Sequence, residues 1–431
     1  MIIRVVTLGC KVNQCESAAI VATLKSNNYS ASEGIEPADD YILNTCSVTA
    51  EADKKSRQYV SKLRKLNHDC KIIVVGCSTQ NMPQKFELNN VIAVGGTSNK
   101  SDFVLNTINM LKNNNDYSIL SDRVLYDFNM KNVGKCDKYC YEEFPITDKT
   151  RAFVKIQDGC NRFCSYCIIP YLRGRSRSRS VADIVDECNK ITSKEIVLTG
   201  IDVSVYGRDI DADLPTLFRA LSKSGKRIRL SSIECEAVNE SLLDVMAQGD
   251  YCPHFHLSLQ SGDNTVLKTM NRHYDTEYFY SKVQLIRNYF PFAGITTDVI
   301  VGFPTETDEF FDNGCKFIEK CEFSDIHVFP YSKRTGTLAA KKYGQLHPDI
   351  VKPRVNKLLN IKNDLRMRFF NKNLGKIYPV YVEDCEGDYN VGYTPNYIKV
   401  YSNALCGDIV NLRLSELYGN NGIIGKSQGE L

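Results

Sequence analysis

The residues with the clearest chemistry lie in one short loop, residues 158–167, which reads DGCNRFCSYC. Its Cys160, Cys164 and Cys167 follow a C-x3-C-x2-C spacing, which can hold three irons of a [4Fe–4S] cluster. The fourth iron then has no protein ligand and can bind a substrate atom, as the open position of a catalytic zinc does. A structural zinc site is the alternative, but zinc loops pair two such motifs and no partner follows this one. The spacing therefore favours an iron–sulfur cluster.

Three more cysteines occupy equivalent places near the start of the chain. Cys10, Cys46 and Cys77 each follow a strand-like run in a pattern that alternates strands with helices. Because the carboxyl ends of parallel strands meet at one edge of a sheet, we expect the three thiols to lie together and to hold a second cluster. A further C-x3-C pair, Cys136 and Cys140, lacks a third member, which indicates a structural or incidental role.

Length and charge limit the possible classes of protein. A chain of 431 residues is long enough for two or three domains. Its apolar runs are too short to span a bilayer, and its start does not read as a signal peptide. These features predict a cytoplasmic protein, in which the cysteines are reduced.

The net charge of +3 does not by itself indicate a nucleic-acid partner. Residues 151–180, however, carry seven arginines and lysines against one acid. Within that run Arg173, Arg175, Arg177 and Arg179 are predicted to contact RNA.

The hydrophobic pattern predicts an α/β fold with three parts. Residues 1–112 alternate strands and helices, as in an open parallel sheet, and residues 113–150 are a poorly patterned connection. Residues 151–367 carry six strand-like runs that each lead into polar or glycine-rich residues, which predicts a partial (β/α)6 barrel with its site at the strand ends. Residues 368–431 predict a small antiparallel β-barrel. Such barrels often bind RNA, but acids outnumber bases by seven to five from Phe370 onward, so that role stays open.

Together these motifs resemble the methylthiotransferase family of radical S-adenosylmethionine (SAM) enzymes over essentially the whole chain. The matching segments are TLGCKVNQ at 7–14, LNTCSVT at 43–49, GC at 76–77, the block 160–179 and VIVGFP at 299–304. The resemblance implies an N-terminal cluster domain, a radical SAM barrel and a C-terminal barrel of the TRAM type. The motifs GCKVNQ at 9–14, KIQD at 155–158 and HVFPYSKR at 327–334 are typical of the branch that acts on threonylcarbamoyladenosine in tRNA. Cys15 departs from that branch and puts a second thiol near Cys10.

The resemblance also implies a reaction in which two SAM molecules have different roles. One methylates sulfur at the cluster of the first three cysteines, and the other is reductively cleaved at the cluster of Cys160–Cys167 to remove hydrogen from the base. The predicted product carries a methylthio group at C2 of N6-threonylcarbamoyladenosine at position 37 of tRNA. Isopentenyladenosine in tRNA and a ribosomal protein aspartate are the alternative substrates. The residues expected to bind SAM are Tyr166, Thr199, Gly200, Ser232, Glu234, Gln260, Ser261 and Gly302.

The implied cofactors are two [4Fe–4S] clusters and SAM. The implied partners are the tRNA anticodon stem-loop, a reductant such as flavodoxin or ferredoxin, and a sulfur donor, with no membrane. No catalytic histidine–carboxylate pair stands out, and the six histidines are expected to be structural. A non-catalytic RNA-binding protein would not need six polar strand ends. An electron-transfer protein would not need the arginine run or the terminal barrel.

Overall fold

A computed structural model of the protein describes residues 1–113, 124–127, 130, 139 and 150–427. Along the chain this part forms a parallel sheet, an open barrel and a small closed barrel. Every helix in it is too short or too polar to span a lipid bilayer.

The first part is a parallel sheet with helices on both faces. Its elements are β1 (Ile2–Thr7), α1 (Lys11–Ser26), β2 (Ser30–Glu33), β3 (Asp40–Thr45), α2 (Ala50–Leu66), β4 (Lys71–Gly76), α3 (Cys77–Asn81), β5 (Val91–Val94), α4 (Lys100–Asn113) and β6 (Leu125–Tyr126). The strands pair in the order β2-β1-β3-β4-β5-β6. Apolar side chains of α1 and α4 pack on one face and those of α2 on the other. The sequence pattern predicted β1, β3 and β4 but missed β2, β5 and β6, because strands of two to four residues carry little periodicity.

The second part contains the loop 158–167 and most of the helices. Its elements are β7 (Arg151–Lys155), β8 (Gln157–Asp158), α5 (Ile169–Arg173), β9 (Arg177–Ser178), α6 (Val181–Lys190), β10 (Glu195–Thr199), α7 (Leu214–Leu221), β11 (Arg227–Leu230), β12 (Ser232–Ile233), α8 (Glu240–Ala247), β13 (His254–Gln260), α9 (Asn264–Thr269), α10 (Thr276–Tyr289), β14 (Gly294–Val301), α11 (Asp308–Cys321), β15 (Asp325–Pro330), α12 (Leu338–Lys342) and α13 (Pro348–Asn373).

Most of these strands form an open barrel. One parallel sheet has the order β11-β10-β7 and the other β12-β13-β14-β15. Only Ser231 separates β11 from β12, so the two sheets continue into each other. Within the described residues β7 and β15 do not pair, and the arc therefore stays open. This arrangement confirms the partial (β/α)6 barrel predicted from the six strand-like runs.

The third part is a closed barrel of β16 (Ile377–Glu386), β17 (Tyr389–Tyr393), β18 (Lys399–Ser402), β19 (Ile409–Tyr418) and β20 (Gly422–Lys426). The strand order is β16-β17-β18-β20-β19, and four of the pairings are antiparallel, as predicted. The exception is β18 with β20, which run parallel. Arg227 donates to the Pro379 carbonyl at 2.8 Å and Arg229 to the Pro395 carbonyl at 2.9 Å, so the closed barrel lies against the amino end of β11.

Candidate active site

One cavity of about 1050 Å³ is lined by all six predicted cluster cysteines. The parallel sheet contributes the loops after β1, β3 and β4, the open barrel contributes its strands and the loop 158–167, and the closed barrel contributes Tyr393, Tyr397 and Lys399. Helix α1 covers the open edge of the barrel at β7, where the Cys15 thiol donates to the Phe153 carbonyl at 3.4 Å. Two cysteine sets that are far apart in the sequence therefore share one internal space.

The cysteine loop at 158–167 is held by its backbone. The amide of Cys160 donates to the Gly174 carbonyl at 3.1 Å. Gly159 has a φ of +73°, and a Cβ at this position would collide with the carbonyl of Arg175. Only glycine fits between β8 and the first cysteine for both reasons.

Polar groups around these three thiols suit a cluster. The backbone amide of Arg162 donates to Sγ of Cys160 at 3.4 Å, and Nη1 of Arg272 donates to Sγ of Cys164 at 3.3 Å. Burial raises the pKa of Cys167 to about 12 and raises the pKa of Cys160 well above its usual range. Thiols that resist ionisation become thiolates when metal ions supply positive charge. The three-thiol donor set therefore fits a [4Fe–4S] cluster with one open iron.

The second cysteine set lies at three strand ends of the parallel sheet. Cys10 precedes α1, Cys46 follows β3 and Cys77 begins α3. A Cβ on Gly9 would lie 2.6 Å from Cβ of Cys46, so the loops after β1 and β3 are in close contact. Burial raises the pKa of Cys46 to about 11 and also raises the pKa of Cys77. The structure brings the strand ends together, as expected of a parallel sheet, and the donor set fits a second cluster.

The remaining candidate cysteines do not compete for these sites. Cys15 is buried in the contact between α1 and β7 and does not line the cavity. Burial raises the pKa of its thiol well above the usual range. Cys136 and Cys140 lie outside the described residues.

Six of the eight residues expected to bind SAM line the cavity, namely Tyr166, Thr199, Gly200, Ser232, Glu234 and Gln260. Ser261 and Gly302 do not. Ser261 lines a small separate pocket beside α11. Gly302 packs against α13, where an added Cβ would lie 2.6 Å from Val351. Its φ of +75° favours glycine, and its contact with a ligand stays a prediction.

Sequence reasoning missed a group of ion pairs around the cysteine loop. Arg162 lies 2.9 Å from Asp202 and 2.9 Å from Glu236, and Arg272 pairs with Glu234. The Asp202 carboxylate also accepts from the Cys160 thiol at 3.7 Å. Arg162 lies within the cysteine motif, so its position was visible in the sequence. Arg272 and Asp202 stand in no motif, and only the fold brings them to the loop.

Three of the six histidines, which were expected to be structural, line the cavity. Asp298 Oδ2 lies 3.2 Å from Nε2 of His256, and Oδ1 lies 3.3 Å from Nδ1 of His327. Burial alone would raise the pKa of Asp298, but the two histidines hold it well below its usual range. The third histidine, His254, stacks on Tyr397 with ring centres 4.4 Å apart. These pairs could not be predicted from the sequence, because each partner comes from a different strand or domain.

The arginine run does not form a basic surface. Three of its members are at most 3% exposed and pair with carboxylates: Arg173 with Glu16 and Asp158, Arg177 with Asp158, and Arg179 with Glu187. A guanidinium removed from water needs such a partner, so these side chains stabilise the fold. Arg175 is exposed, with its guanidinium 4.9 Å from the Phe163 ring centre. The predicted RNA contacts are corrected for the three buried arginines and stay a prediction for Arg175.

A buried ion network around Glu16 joins the parallel sheet to the open barrel. Its carboxylate lies 2.5 Å from Nζ of Lys100, 2.8 Å from Nζ of Lys155 and 2.8 Å from Nη1 of Arg173. Burial alone would raise the pKa of Glu16, but the three cations hold it well below its usual range. Glu16 and Lys100 belong to the sheet, whereas Lys155 and Arg173 belong to the barrel. The network therefore sets the position of one cysteine set relative to the other.

Glu16→Gln should lower the free energy of unfolding by about 3–5 kcal/mol, because it leaves buried cations without their anion. This contribution is complete above the pKa of an unfolded glutamate and is lost as pH falls toward the lower folded value. Denaturant unfolding followed by circular dichroism measures the change. The exposed Glu319→Gln on α11 is the control and should leave the midpoint near that of the wild type. Wild-type stability in Glu16→Gln would show that the network does not hold the two parts together.

Two family descriptions match the chain. Residues 154–318 match the radical SAM superfamily, and residues 3–95 match a family described as Uncharacterized protein family UPF0004. The two matches cover the open barrel and the parallel sheet, which are the parts that contribute the two cysteine sets.

Named relatives align with nearly the whole chain. The threonylcarbamoyladenosine tRNA methylthiotransferase MtaB of Bacillus subtilis is 36% identical over 425 residues, which cover 95% of this chain and 92% of that protein. The MtaB of Aquifex aeolicus is 35% identical, with 91% and 95% covered. The tRNA-2-methylthio-N(6)-dimethylallyladenosine synthase of Alkaliphilus oremlandii is 34% identical, with 98% and 88% covered.

A solved structure shares the fold. The radical SAM methyltransferase TsrM of Kitasatospora setae, with cobalamin and a [4Fe–4S] cluster bound, has a TM-score of 0.58 at 13% identity and covers 79% of this chain and 77% of its own. Identity this low supports the fold alone, whereas the sequence relatives are similar along almost their full length. The chain belongs to the methylthiotransferase family of radical SAM enzymes.

Proposed function

We propose that this protein is a transferase that adds a methylthio group to C2 of N6-threonylcarbamoyladenosine at position 37 of tRNA. The observation that carries the proposal is the single cavity lined by both cysteine sets. When bound there, SAM and two [4Fe–4S] clusters supply hydrogen abstraction and a methylated sulfur. A nucleobase bound in this cavity can react at both cofactor sites without being released between the two steps. Similarity to the MtaB proteins supports the choice of base.

The side chains of this site bind, orient and exclude water. Cys160, Cys164 and Cys167 are the proposed ligands of the cluster that binds SAM, and Cys10, Cys46 and Cys77 are those of the auxiliary cluster. The proposed SAM pocket is formed by Tyr166, Thr199, Gly200, Ser232, Glu234 and Gln260. The ion pairs of Arg162 and Arg272 hold the cysteine loop against the strand ends. Helix α1 and the closed barrel contribute walls to the cavity, and a bound RNA would complete the exclusion of water.

The proposed function implies three partners and assigns a separate role to each domain of the chain. The partners are the tRNA anticodon stem-loop, a reductant such as flavodoxin or ferredoxin, and a sulfur donor. Arg175 is the member of the arginine run that we infer to contact RNA. We also infer a cluster domain at 1–112, a radical SAM domain at 151–367 and a TRAM-type domain at 368–431. Strand β6 joins the first sheet from within the connection at 113–150.

Mass spectrometry of tRNA nucleosides from cells with and without this gene tests the function. Loss of the gene should remove 2-methylthio-N6-threonylcarbamoyladenosine and leave the unmethylthiolated nucleoside in its place. Loss of the methylthio group from isopentenyladenosine instead would assign the substrate named for the Alkaliphilus oremlandii relative. An unchanged set of tRNA nucleosides would contradict a role on tRNA.

A further inference from the structure

The charged side chains that line the cavity balance one another, with one exception. Of the eight lysines and arginines in the lining, seven pair with a carboxylate. The four lining carboxylates are likewise paired: Asp202, Glu234, Asp298 and Asp325. The exception is Lys11, whose ammonium has no ion pair within the part of the chain that the structure describes.

Lys11 begins α1 directly after Cys10. Its Nζ lies 6.0 Å from the centre of the Phe153 ring, and the cations Arg151 and Arg229 line the same cavity. Its side chain is exposed within the cavity, and an ammonium among other cations gains free energy when an anion pairs with it. The Lys11 side of the cavity is therefore suited to one negative charge brought by a ligand.

Aromatic rings lie beside this unpaired cation. The ring of Tyr397 is stacked on His254 at 4.4 Å and on Tyr393 at 4.8 Å, and the guanidinium of Arg229 lies 4.8 Å from its centre. Tyr397 has a φ of +69°, which is uncommon for a bulky residue and holds the ring at the cavity. His254 and Tyr393 cover the two faces of this ring, so Tyr397 forms part of an aromatic wall. The site thus combines a free positive charge with an aromatic wall.

We propose that Lys11 is a specificity residue that binds the carboxylate of the threonylcarbamoyl group. The inference rests on the function proposed above. A threonylcarbamoyl group carries a carboxylate at neutral pH, whereas an isopentenyl group carries no charge. The acid pairs with Lys11, whereas an isopentenyl group offers the ammonium no anion. Lys11 therefore favours the acidic nucleoside over the apolar one.

Binding of two synthetic anticodon stem-loops to the reconstituted full chain tests this role. One RNA carries threonylcarbamoyladenosine, and the other carries the same group as its neutral methyl ester. The wild type should bind the acid about 10- to 100-fold more tightly than the ester, as expected of one charge-assisted hydrogen bond. Lys11→Met should weaken binding of the acid alone and bring the ratio close to one. Lys11→Arg should keep most of the ratio.

Lys25→Met is the matched control, because Lys25 is exposed at the other end of the same helix. It should leave the ratio at the wild-type value. Iron content and SAM cleavage without RNA should stay unchanged in Lys11→Met, which separates carboxylate binding from an effect on the neighbouring cluster. A wild-type ratio in Lys11→Met, equal weakening of both RNAs, or a wild-type protein that binds acid and ester alike would each overturn the proposal.

The test also separates this inference from the proposed function. A wild-type enzyme that does not methylthiolate the acidic stem-loop would contradict the function itself. A wild-type enzyme that does so, with a ratio that Lys11→Met leaves intact, would contradict only the role of Lys11.

Discussion

Cys164→Ala should abolish reductive cleavage of SAM and remove about four irons from a protein that holds about eight after anaerobic reconstitution. Its thiol lines the cavity with those of Cys160 and Cys167, and each of the three is a proposed iron ligand. The only other described cysteines in the lining belong to the second set, across the cavity, so none replaces it. Iron and sulfide analysis and mass spectrometry of 5′-deoxyadenosine measure the two losses.

Cys315→Ala is the matched control for this experiment. Cys315 is a buried thiol on α11 that does not line the cavity. The variant should keep both clusters and the wild-type rate of SAM cleavage, even if it is somewhat less stable. Retained SAM cleavage in Cys164→Ala would remove this cysteine from the ligand set.

Cys46→Ala should lose about four irons and form no methylthio product, yet still cleave SAM in unproductive turnover. The physical reason is its position on the parallel sheet, at the end of β3, where it meets the loop of Cys10 rather than the loop of Cys160. Assays of 5′-deoxyadenosine and of methylthiolated RNA on the same samples separate the two activities.

The control for Cys46→Ala is Cys15→Ala. Cys15 lies close to Cys10 in the sequence, but its thiol is buried against β7 and does not line the cavity. Its alanine variant should keep the iron content and the methylthio product. If Cys46→Ala lost SAM cleavage as completely as Cys164→Ala, the two sites could not be independent clusters.

The sequence by itself was enough to identify the two cysteine sets and the succession of the main strands along the chain. A ligand set with the spacing of Cys160, Cys164 and Cys167 is a local property, because one short loop carries all its members. The alternation of strands with helices is local as well, and in a parallel sheet it places Cys10 and Cys46 at the same edge. Short strands such as β2 and β5 were not predicted, because four residues are too few to show a clear period.

Only the tertiary structure decided which charges are paired and which are free. Arg173 and Lys11 are both cations beside a cysteine motif, and nothing local separates them. Arg173 meets Glu16, 157 residues away in the sequence, because α1 packs against β7 and closes the barrel edge. The same packing turns Lys11 into the cavity, where none of the described residues gives it a carboxylate partner. Charge pairing depends on contacts between segments that are distant in the sequence. Inside the protein each pairing has a large effect on free energy, because water no longer screens the charges.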